Sequence, residues 1–386
     1  MKIDFFILTT FINSIGYSLI SLSTCLGKRI AGGLVVFLFP FSVFSQSDSL
    51  HRGFEWSGYV ESYIGLNQVK SSSNAQPSFV YSFHREREVN INLALIRASY
   101  SQEQVRANLG LMAGTYVQRN LAAEPQALQS IWEANVGVRL SKKKDIWLDA
   151  GLFPSHIGFE SAIGADCWTA SRSILADNSP YFETGGKLTM TTSDKKWVIS
   201  GLLLNGWQRI QRPEGSRGIS GGHQVTWKPS SSWTLNSSSF IGKESTLQAN
   251  PVRIFHNFYA IWQGKSKWGM ILGLDTGWQK ESNSATPFDV WMAPVAIFRY
   301  QVSSNWTWAA RIEQYRDRSK VMIAADTERG VRISGVSINL DRRIFEQVLW
   351  RVEGKFWHNP DPLFQARHGI MQKTSLMGLT TLSFRI

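Results

Sequence analysis

The chain has 386 residues and a net charge of +12, and it contains 16 Trp, 10 Tyr and only two Cys. A field of that sign attracts anions. The longest apolar run after the N-terminal region, Val290 to Phe298, is too short for a transmembrane helix and contains Pro294, which excludes helical membrane spans from the mature protein.

In chain order, the first expectation is an export signal over residues 1–45. The apolar stretch Ile30 to Phe44 follows Gly27, Lys28 and Arg29 and ends at Val43, Phe44, Ser45, so cleavage is expected near Ser45. A second uncharged run, Phe5 to Leu26, precedes it, so either translation starts further in or the leader is unusually long. Cys25 stands in a poor lipoprotein box. Without the leader the chain keeps a charge of about +10 and a single cysteine, Cys167, which excludes an intrachain disulfide.

From residue 46 to 386 short polar turns alternate with long connections. The expected turns are Ser101 to Glu103, Ser141 to Asp145, Ser193 to Lys195, Pro229 to Ser232, Gly264 to Ser266, Ser303 to Asn305 and Asp341 to Phe345. The long connections are Gln68 to Arg85, Arg119 to Gln129, Pro154 to Pro180, Arg209 to Arg217, Lys243 to Asn250, Gln279 to Thr286, Arg316 to Arg329 and His358 to Lys373. Seven short and eight long links predict sixteen strands, within a range of about 14–18, and an even strand number with short turns on one side is the pattern of an outer-membrane barrel. The fold class expected is therefore all-β: a transmembrane antiparallel up-and-down β-barrel, which spans lipid with every backbone group paired.

The faces of individual strands support this reading. Trp268, Met270, Leu272, Leu274, Thr276 and Trp278 alternate with Gly269, Ile271, Gly273, Asp275 and Gly277, giving one greasy face with an aromatic girdle residue, Trp268 or Trp278, at each end. Val105, Ala107, Leu109, Leu111 and Ala113 oppose Arg106, Asn108, Gly110 and Met112, while Trp132, Ala134, Val136, Val138 and Leu140 oppose Glu133, Asn135, Gly137 and Arg139. Trp350, Val352 and Phe356 oppose Arg351, Glu353 and Lys355. An Arg or Lys facing mid-bilayer lipid costs about 2–4 kcal/mol. Arg106, Arg139, Lys187, Arg351, Glu353 and Lys355 are therefore expected on the lumen wall, lining an aqueous space. Trp197 to Leu204 and Trp291 to Phe298 are apolar on both faces and call for inward packing against a loop or a neighbouring subunit. In the last strand Leu382, Phe384 and Ile386 share one face, with Ile at the terminus in place of the aromatic that barrel-assembly machinery usually meets.

The connection Pro154 to Pro180 joins the fifth and sixth strands and is too long to be structureless without a task. Its surroundings carry a family pattern: Gly151-Leu152-Phe153-Pro154-Ser155-His156-Ile157-Gly158-Phe159-Glu160, Ser171-Arg172-Ser173, Asn178-Ser179-Pro180-Tyr181 and Leu204-Asn205-Gly206-Trp207-Gln208, with Asn92-Leu93-Ala94, Gly114-Thr115-Tyr116-Val117 and Glu133-Ala134 upstream. These segments resemble the OmpL-like β-barrel porins of Gram-negative outer membranes, distinctively from about Gly58 to Ile210 and as a strand pattern beyond. The resemblance implies an outer-membrane porin and names no catalytic residue. In general porins the loop between strands five and six folds into the lumen and sets the bore. By order this is that loop, so His156, Glu160, Asp166, Arg172 and Asp177 are its expected constriction residues, facing Arg106, Arg139 and Lys187. The alternative is a loop packed outside the pore with solvated charges.

Other classes fare worse. None of the seven His lies in a His-Glu-x-x-His motif or at zinc spacing to a Cys, so neither a metal nor a cofactor is expected. Ser155 and His156 are adjacent and point to opposite faces of an extended segment, which disfavours a hydrolase. Gly269, Gly273 and Gly277 lie along one side of a strand, where they make room rather than bind phosphate. Energy-coupled transporters have 22 strands and a plug, whereas about eight residues precede the first strand here. A soluble all-β protein would need a second sheet over the face from Trp268 to Trp278. Trp168, Trp207 and Trp357 could stack sugars but are better assigned to interface anchoring.

The expected function is passive diffusion of small hydrophilic solutes with a mild anion preference; the alternative is a substrate-specific channel, or a surface-binding or structural barrel without an open pore. Outer-membrane lipid, lipopolysaccharide, barrel-assembly machinery and, as is usual for porins, two further copies in a homotrimer are the expected partners. No nucleic acid is.

Overall fold

The computed structural model describes residues 53–68, 74–216, 218–243, 251–264, 267–280, 288–366 and 370–386. The leader expected over residues 1–45 lies outside these, as do parts of the connections Gln68 to Arg85, Arg209 to Arg217, Lys243 to Asn250, Gln279 to Thr286 and His358 to Lys373 and of the turn Gly264 to Ser266.

Eight strands form the first half of the barrel: β1 (Phe54–Asn67), β2 (Val89–Ser101), β3 (Val105–Ala113), β4 (Ile131–Arg139), β5 (Asp145–Pro154), β6 (Phe182–Thr191), β7 (Trp197–Leu204) and β8 (Ser220–Ser230). The second half contains β9 (Trp233–Lys243), β10 (Val252–Gln263), β11 (Trp268–Lys280), β12 (Asp289–Gln301), β13 (Trp306–Asp317), β14 (Val331–Phe345), β15 (Val348–His358) and, after a small ribbon of β16 (Phe364–Gln365) with β17 (Met371–Gln372), the closing strand β18 (Thr374–Arg385). Each barrel strand pairs antiparallel with its neighbour, and β18 returns to β1 with Tyr63 opposite Thr381, so sixteen of the eighteen described strands close into one barrel. Closure removes every sheet edge. Two short helices, α1 (Thr115–Asn120) and α2 (Ile174–Asp177), sit in connections. Among the described residues no helix is long and apolar enough to cross a membrane.

Period-2 patterning is realised as inside and outside. On β11 Gly269, Ile271, Gly273, Asp275 and Gly277 are buried while Trp268, Leu272 and Leu274 are exposed. The exposed set recurs around the wall, with Leu111 on β3, Leu203 on β7 and Ile338 on β14. Soluble proteins rarely expose so large an apolar surface, so the outside of this barrel is built for lipid. At the short-turn end aromatic rings pair across strands, including Trp197 on Trp227 at 5.2 Å and Trp268 on Tyr300 at 4.5 Å. They form the aromatic belt of one interface.

Two sequence expectations need correction. The turn placed at Asp341 to Phe345 is strand: β14 runs through Phe345 and the reversal falls at Glu346 and Gln347. The polar run resembles a turn, but Asp341 faces inward to bind Arg351 at 2.7 Å and Arg342 lies over Trp306 at 5.1 Å. Trp132, expected outward, packs on the inner cluster around Tyr59 and Leu93. The β3–β4 register shifts between Gly110 and Leu111, and such a bulge inverts the side-chain alternation locally.

Candidate functional site

The chain from Ser155 to Tyr181 links β5 to β6 and lies inside the barrel, because inward-facing side chains of six strands bond to it. From β10, Asn257 Oδ1 accepts from Gly158 N at 3.3 Å, and from β14 Asn339 Oδ1 accepts from Ala170 N at 3.0 Å. Glu353 on β15 accepts from Ser171 N at 2.5 Å, and Glu313 on β13 from Ile174 N at 2.9 Å. In the other direction Arg351 donates to the carbonyls of Gly164 and Cys167 at 2.8 and 2.9 Å, Arg311 to that of Ser171 at 2.8 Å, and Lys355 to that of Arg172 at 3.0 Å. On β9 the Ser239 carbonyl accepts from His156 Nε2 at 2.8 Å. Buried backbone must find partners, and here the wall supplies what water would have supplied.

The loop also fastens itself. Arg172 donates to the carbonyls of Ser161, Ala170 and Ala162 at 2.6, 2.8 and 2.9 Å. Ser173 caps α2 by accepting from Ala176 N at 3.1 Å, and Glu160 accepts from both the amide and the hydroxyl of Ser173. Charges on loop and wall interlock around Arg311, which lies 3.0 Å from Glu353, 3.5 Å from Glu313 and 3.7 Å from Glu160, while Lys355 reaches Glu313 at 2.8 Å.

Small residues on the wall make the loop fit. A Cβ on Gly269 would fall 2.6 Å from the Trp168 ring, one on Gly273 2.5 Å from Phe159, and one on Gly222 2.8 Å from His156. The two-faced apolar strands β7 and β12 resolve for the same reason: Leu202, Leu204, Trp291, Val295 and Ile297 point inward into an apolar cluster that includes Ile157, Ile174 and Leu175 of the loop. Trp207 and Trp357 belong to that cluster rather than to the interface, with Trp207 on Phe255 at 4.8 Å and Trp357 fully buried and donating to Glu313 at 3.2 Å. Trp168 packs against the same cluster. Two long connections turn inward and bring this apolar surface with them, as Phe79 meets Trp357 at 5.7 Å and Phe364 at 6.3 Å.

Of the expected constriction residues, His156, Glu160, Arg172 and Asp177 are buried within the loop packing, and Asp166 reaches Arg385 at 2.8 Å. Burial lowers the His156 pKa to about 4, so its ring is neutral and Nε2–H is the donor, and burial raises that of Asp177 to about 6 despite Lys355 and Arg172. Their effects on stability oppose each other. Folded Asp177 holds its proton to higher pH than the unfolded carboxyl, so its contribution is full below about 3.8 and lost as pH rises through about 6. Folded His156 refuses a proton that the unfolded ring accepts below about 6.5, so its contribution is lost as pH falls toward about 4. In melting midpoints measured from pH 4 to 7, Asp177→Asn should lose stability on acidification more steeply than wild type, and His156→Gln less steeply. Equal slopes in all three would contradict the assignment.

The expected wall residues divide into two groups. Arg351, Glu353 and Lys355 face inward, where they are at most 2 % exposed and meet the loop rather than water. On the opposite side Arg106 and Arg139 keep 32 % and 30 % of their side-chain surface, and Arg97 on β2 keeps 40 %. Arg106 grips Asp149 through two bonds of 2.6 and 2.5 Å and lies over Trp147 at 4.4 Å, while Arg97 holds Glu133. Lys187 stands over the Phe153 ring at 4.5 Å. Of the loop's carboxylates Glu160 meets Arg311 and Asp166 meets Arg385, Arg351 and Lys355 hold loop carbonyls, and no loop charge makes an ion pair with Arg106, Arg139 or Lys187 among the described residues. Arg311, Glu313, Asn339 and Asn257 were not singled out from sequence, although Arg311 and Glu313 alternate with Ala310 and Ile312 as inward residues should.

A closed sixteen-stranded barrel, lipid-facing outside and folded around an inner loop between β5 and β6, defines the porin class of outer-membrane proteins. More particularly, residues 53–384 match the family model described as "Putative beta-barrel porin-2, OmpL-like", and the chain belongs to that family. Family and fold point to a channel rather than an enzyme. Among curated proteins no relative matches the sequence. Solved structures share the fold at low identity. The anion-selective porin from Comamonas acidovorans has a TM-score of 0.55 at 8% identity over 86% of this chain and 99% of that one. Salmonella typhi OmpF, in complex with daunomycin, has a TM-score of 0.55 at 10% identity over 86% and 97%. OmpT of Vibrio cholerae, in a trimer form, has a TM-score of 0.54 at 8% identity over 86% and 99%.

Proposed function

We propose that this barrel is a passive diffusion channel for small hydrophilic solutes, with anions preferred. One observation carries the reading: inward side chains on β10 and β13 to β15 are sealed by the loop, whereas Arg97, Arg106 and Arg139 on β2 to β4 remain water-accessible. The aqueous path therefore follows one side of the lumen, where the Ser155 to Tyr181 loop forms the facing wall and His156, Glu160, Asp166, Arg172 and Asp177 act by holding its shape. Arg97, Arg106, Arg139 and Lys187 outnumber Glu133, Asp149 and Asp145 along the path, and the exposed Lys142, Lys143, Lys144, Lys195 and Lys196 surround its turn-side mouth. Such a field concentrates anions. Purified protein added to a planar bilayer should give stepwise ohmic openings; a folded, inserted barrel that never opens would refute the channel.

Trimerisation belongs to the same reading. On the outer wall His223, Ser237, Ser239 and His256 form a polar patch across β8, β9 and β10, with His223 Nδ1 2.6 Å from Ser239 Oγ and His256 Nε2 3.0 Å from Ser237 Oγ. They lie four to six residues from Trp227, Trp233 and Trp262, hence about 10–15 Å into an apolar band about 25 Å tall. Another copy covering this patch relieves the cost of polar groups in lipid. His223→Leu with His256→Leu should convert the trimer to monomer on semi-native gels, and a trimer unaffected by both would contradict this face.

A further inference from the structure

The outer wall carries a second feature, at the long-loop end of β13, β14 and β15. Arg316 and Arg332 are direct cross-strand partners on the lipid-facing side, both exposed, since their neighbours Tyr315, Asp317, Val331 and Ile333 point inward. Like charges placed directly opposite repel. With Arg318 and Arg329 they line a cavity of about 430 Å³. Its carboxylate, Asp361, is held by Arg329 at 2.6 Å, and Glu328 lies near the same Arg329. Arg316, Arg318 and Arg332 have no carboxylate within ion-pair distance among the described residues.

Below these cations the same face changes character step by step. Gln314 and Ser334 come next, paired with each other and joined by a bond of 3.2 Å, and then Ile312 opposite Val336. At this level the wall is notched. Pro294 has no N–H to give to the ladder, and the β12–β13 pairing lapses between Met292 and Val295. Leu272, Pro294, Ala296, Ile312, Val336 and Phe356 line a groove of about 650 Å³ there, reaching His358 at its upper end. Guanidinium cluster, polar step and apolar groove thus follow one another along about three residue pairs, roughly 15 Å of strand.

We propose that this is a binding site for a phosphorylated glycolipid of the outer leaflet, with its phosphate among Arg316, Arg318 and Arg332, its sugar and amide groups at Gln314 and Ser334, and an acyl chain in the groove beside Pro294. The charge complementarity is specific: Arg presents a planar fork that fits phosphate oxygens, and the anion relieves the Arg316–Arg332 repulsion. The solute path needs none of these residues, because they face away from the lumen; the inference rests on the outer-membrane placement and not on the channel being open.

The test uses full-length folded protein, delipidated in detergent and titrated with bis-phosphorylated lipid A, with dephosphorylated lipid A and with inorganic phosphate, binding being read by native mass spectrometry and by the temperature of heat-modified gel mobility. Lipid A should bind and raise that temperature. Dephosphorylated lipid A should bind at least about tenfold more weakly, as should lipid A to the Arg316→Gln, Arg332→Gln double variant. Ala296→Trp, which fills the groove, should weaken binding while leaving the cations in place. Each variant must first show the gel mobility of the folded barrel, and the two act at opposite ends of the site, so misfolding of one leaves the other informative. Equal binding of lipid A to wild type and both variants would overturn the proposal. Equal protection by inorganic phosphate would reduce the site to one for a free anion and overturn the lipid assignment.

Discussion

Replacing Arg311 with methionine is expected to release the inner loop. Arg311 is fully buried and shared by Glu160, Glu313 and Glu353, and it also donates to the Thr169 hydroxyl at 2.6 Å and the Ser171 carbonyl at 2.8 Å. Removing one partner from a buried charge network costs about 3–5 kcal/mol, because the remaining carboxylates are left without their cation. The barrel itself is held by its closed hydrogen-bond ladder, so the loss falls on the loop's seating. Cys167 offers a direct readout. It is buried beside the Arg351 contact, and burial raises its thiol pKa to about 11, so a maleimide should not label it in the wild type. In the variant Cys167 should become reactive and single-channel conductance should rise. Unchanged labelling and conductance would mean that Arg311 does not hold the loop.

The second large effect concerns the open side of the lumen. Lys187→Glu combined with Arg106→Gln removes two cations and adds one anion on the β3 and β6 side of the lumen, a change of three charge units. Asp149 then loses the guanidinium that neutralises it at 2.6 Å. The expected result is a reversal of ion preference, with the anion-over-cation permeability ratio falling by a factor of several and crossing unity. The same exchange at the sealed side, Lys355→Glu, should instead destabilise the loop, since Lys355 is 2 % exposed and bonded to Glu313 at 2.8 Å. If the Lys187 and Arg106 changes leave selectivity untouched while conductance persists, the path does not run along β3 and β6.

How far the sequence reveals this molecule depends on the range of the interactions involved. Strand count and closure are legible, because hairpin turns and alternating faces are local: the sixteen barrel strands fall where the expected turns and longer links separate them, with the turn at Asp341 to Phe345 displaced among the described residues. That error came from three charged or polar residues in a row whose partners, Arg351 and Trp306, lie on neighbouring strands. The inner loop is legible as a long connection, and Gly269 and Gly273 as places that make room. Which side chains fill that room is not legible, since Phe159 and Trp168 lie more than a hundred residues away. The division of the wall into a sealed side and an open side is likewise invisible in alternation, which treats Arg351 and Arg106 alike. Two tryptophans, at positions 168 and 207, have the same local signature as interfacial anchors, and only the inward turn of their connections makes them core; Trp357 lies on β15 on the face of Arg351, Glu353 and Lys355, so alternation alone points it inward.

Passage of water and solutes along the basic β2 to β6 side of the lumen should be visible in the reversal potential across a tenfold salt gradient. Folded protein in a planar bilayer should show a reversal potential whose sign marks anions as the more permeant ions. A cation-selective sign through the same stepwise openings would rule out a solute path lined by Arg97, Arg106, Arg139 and Lys187.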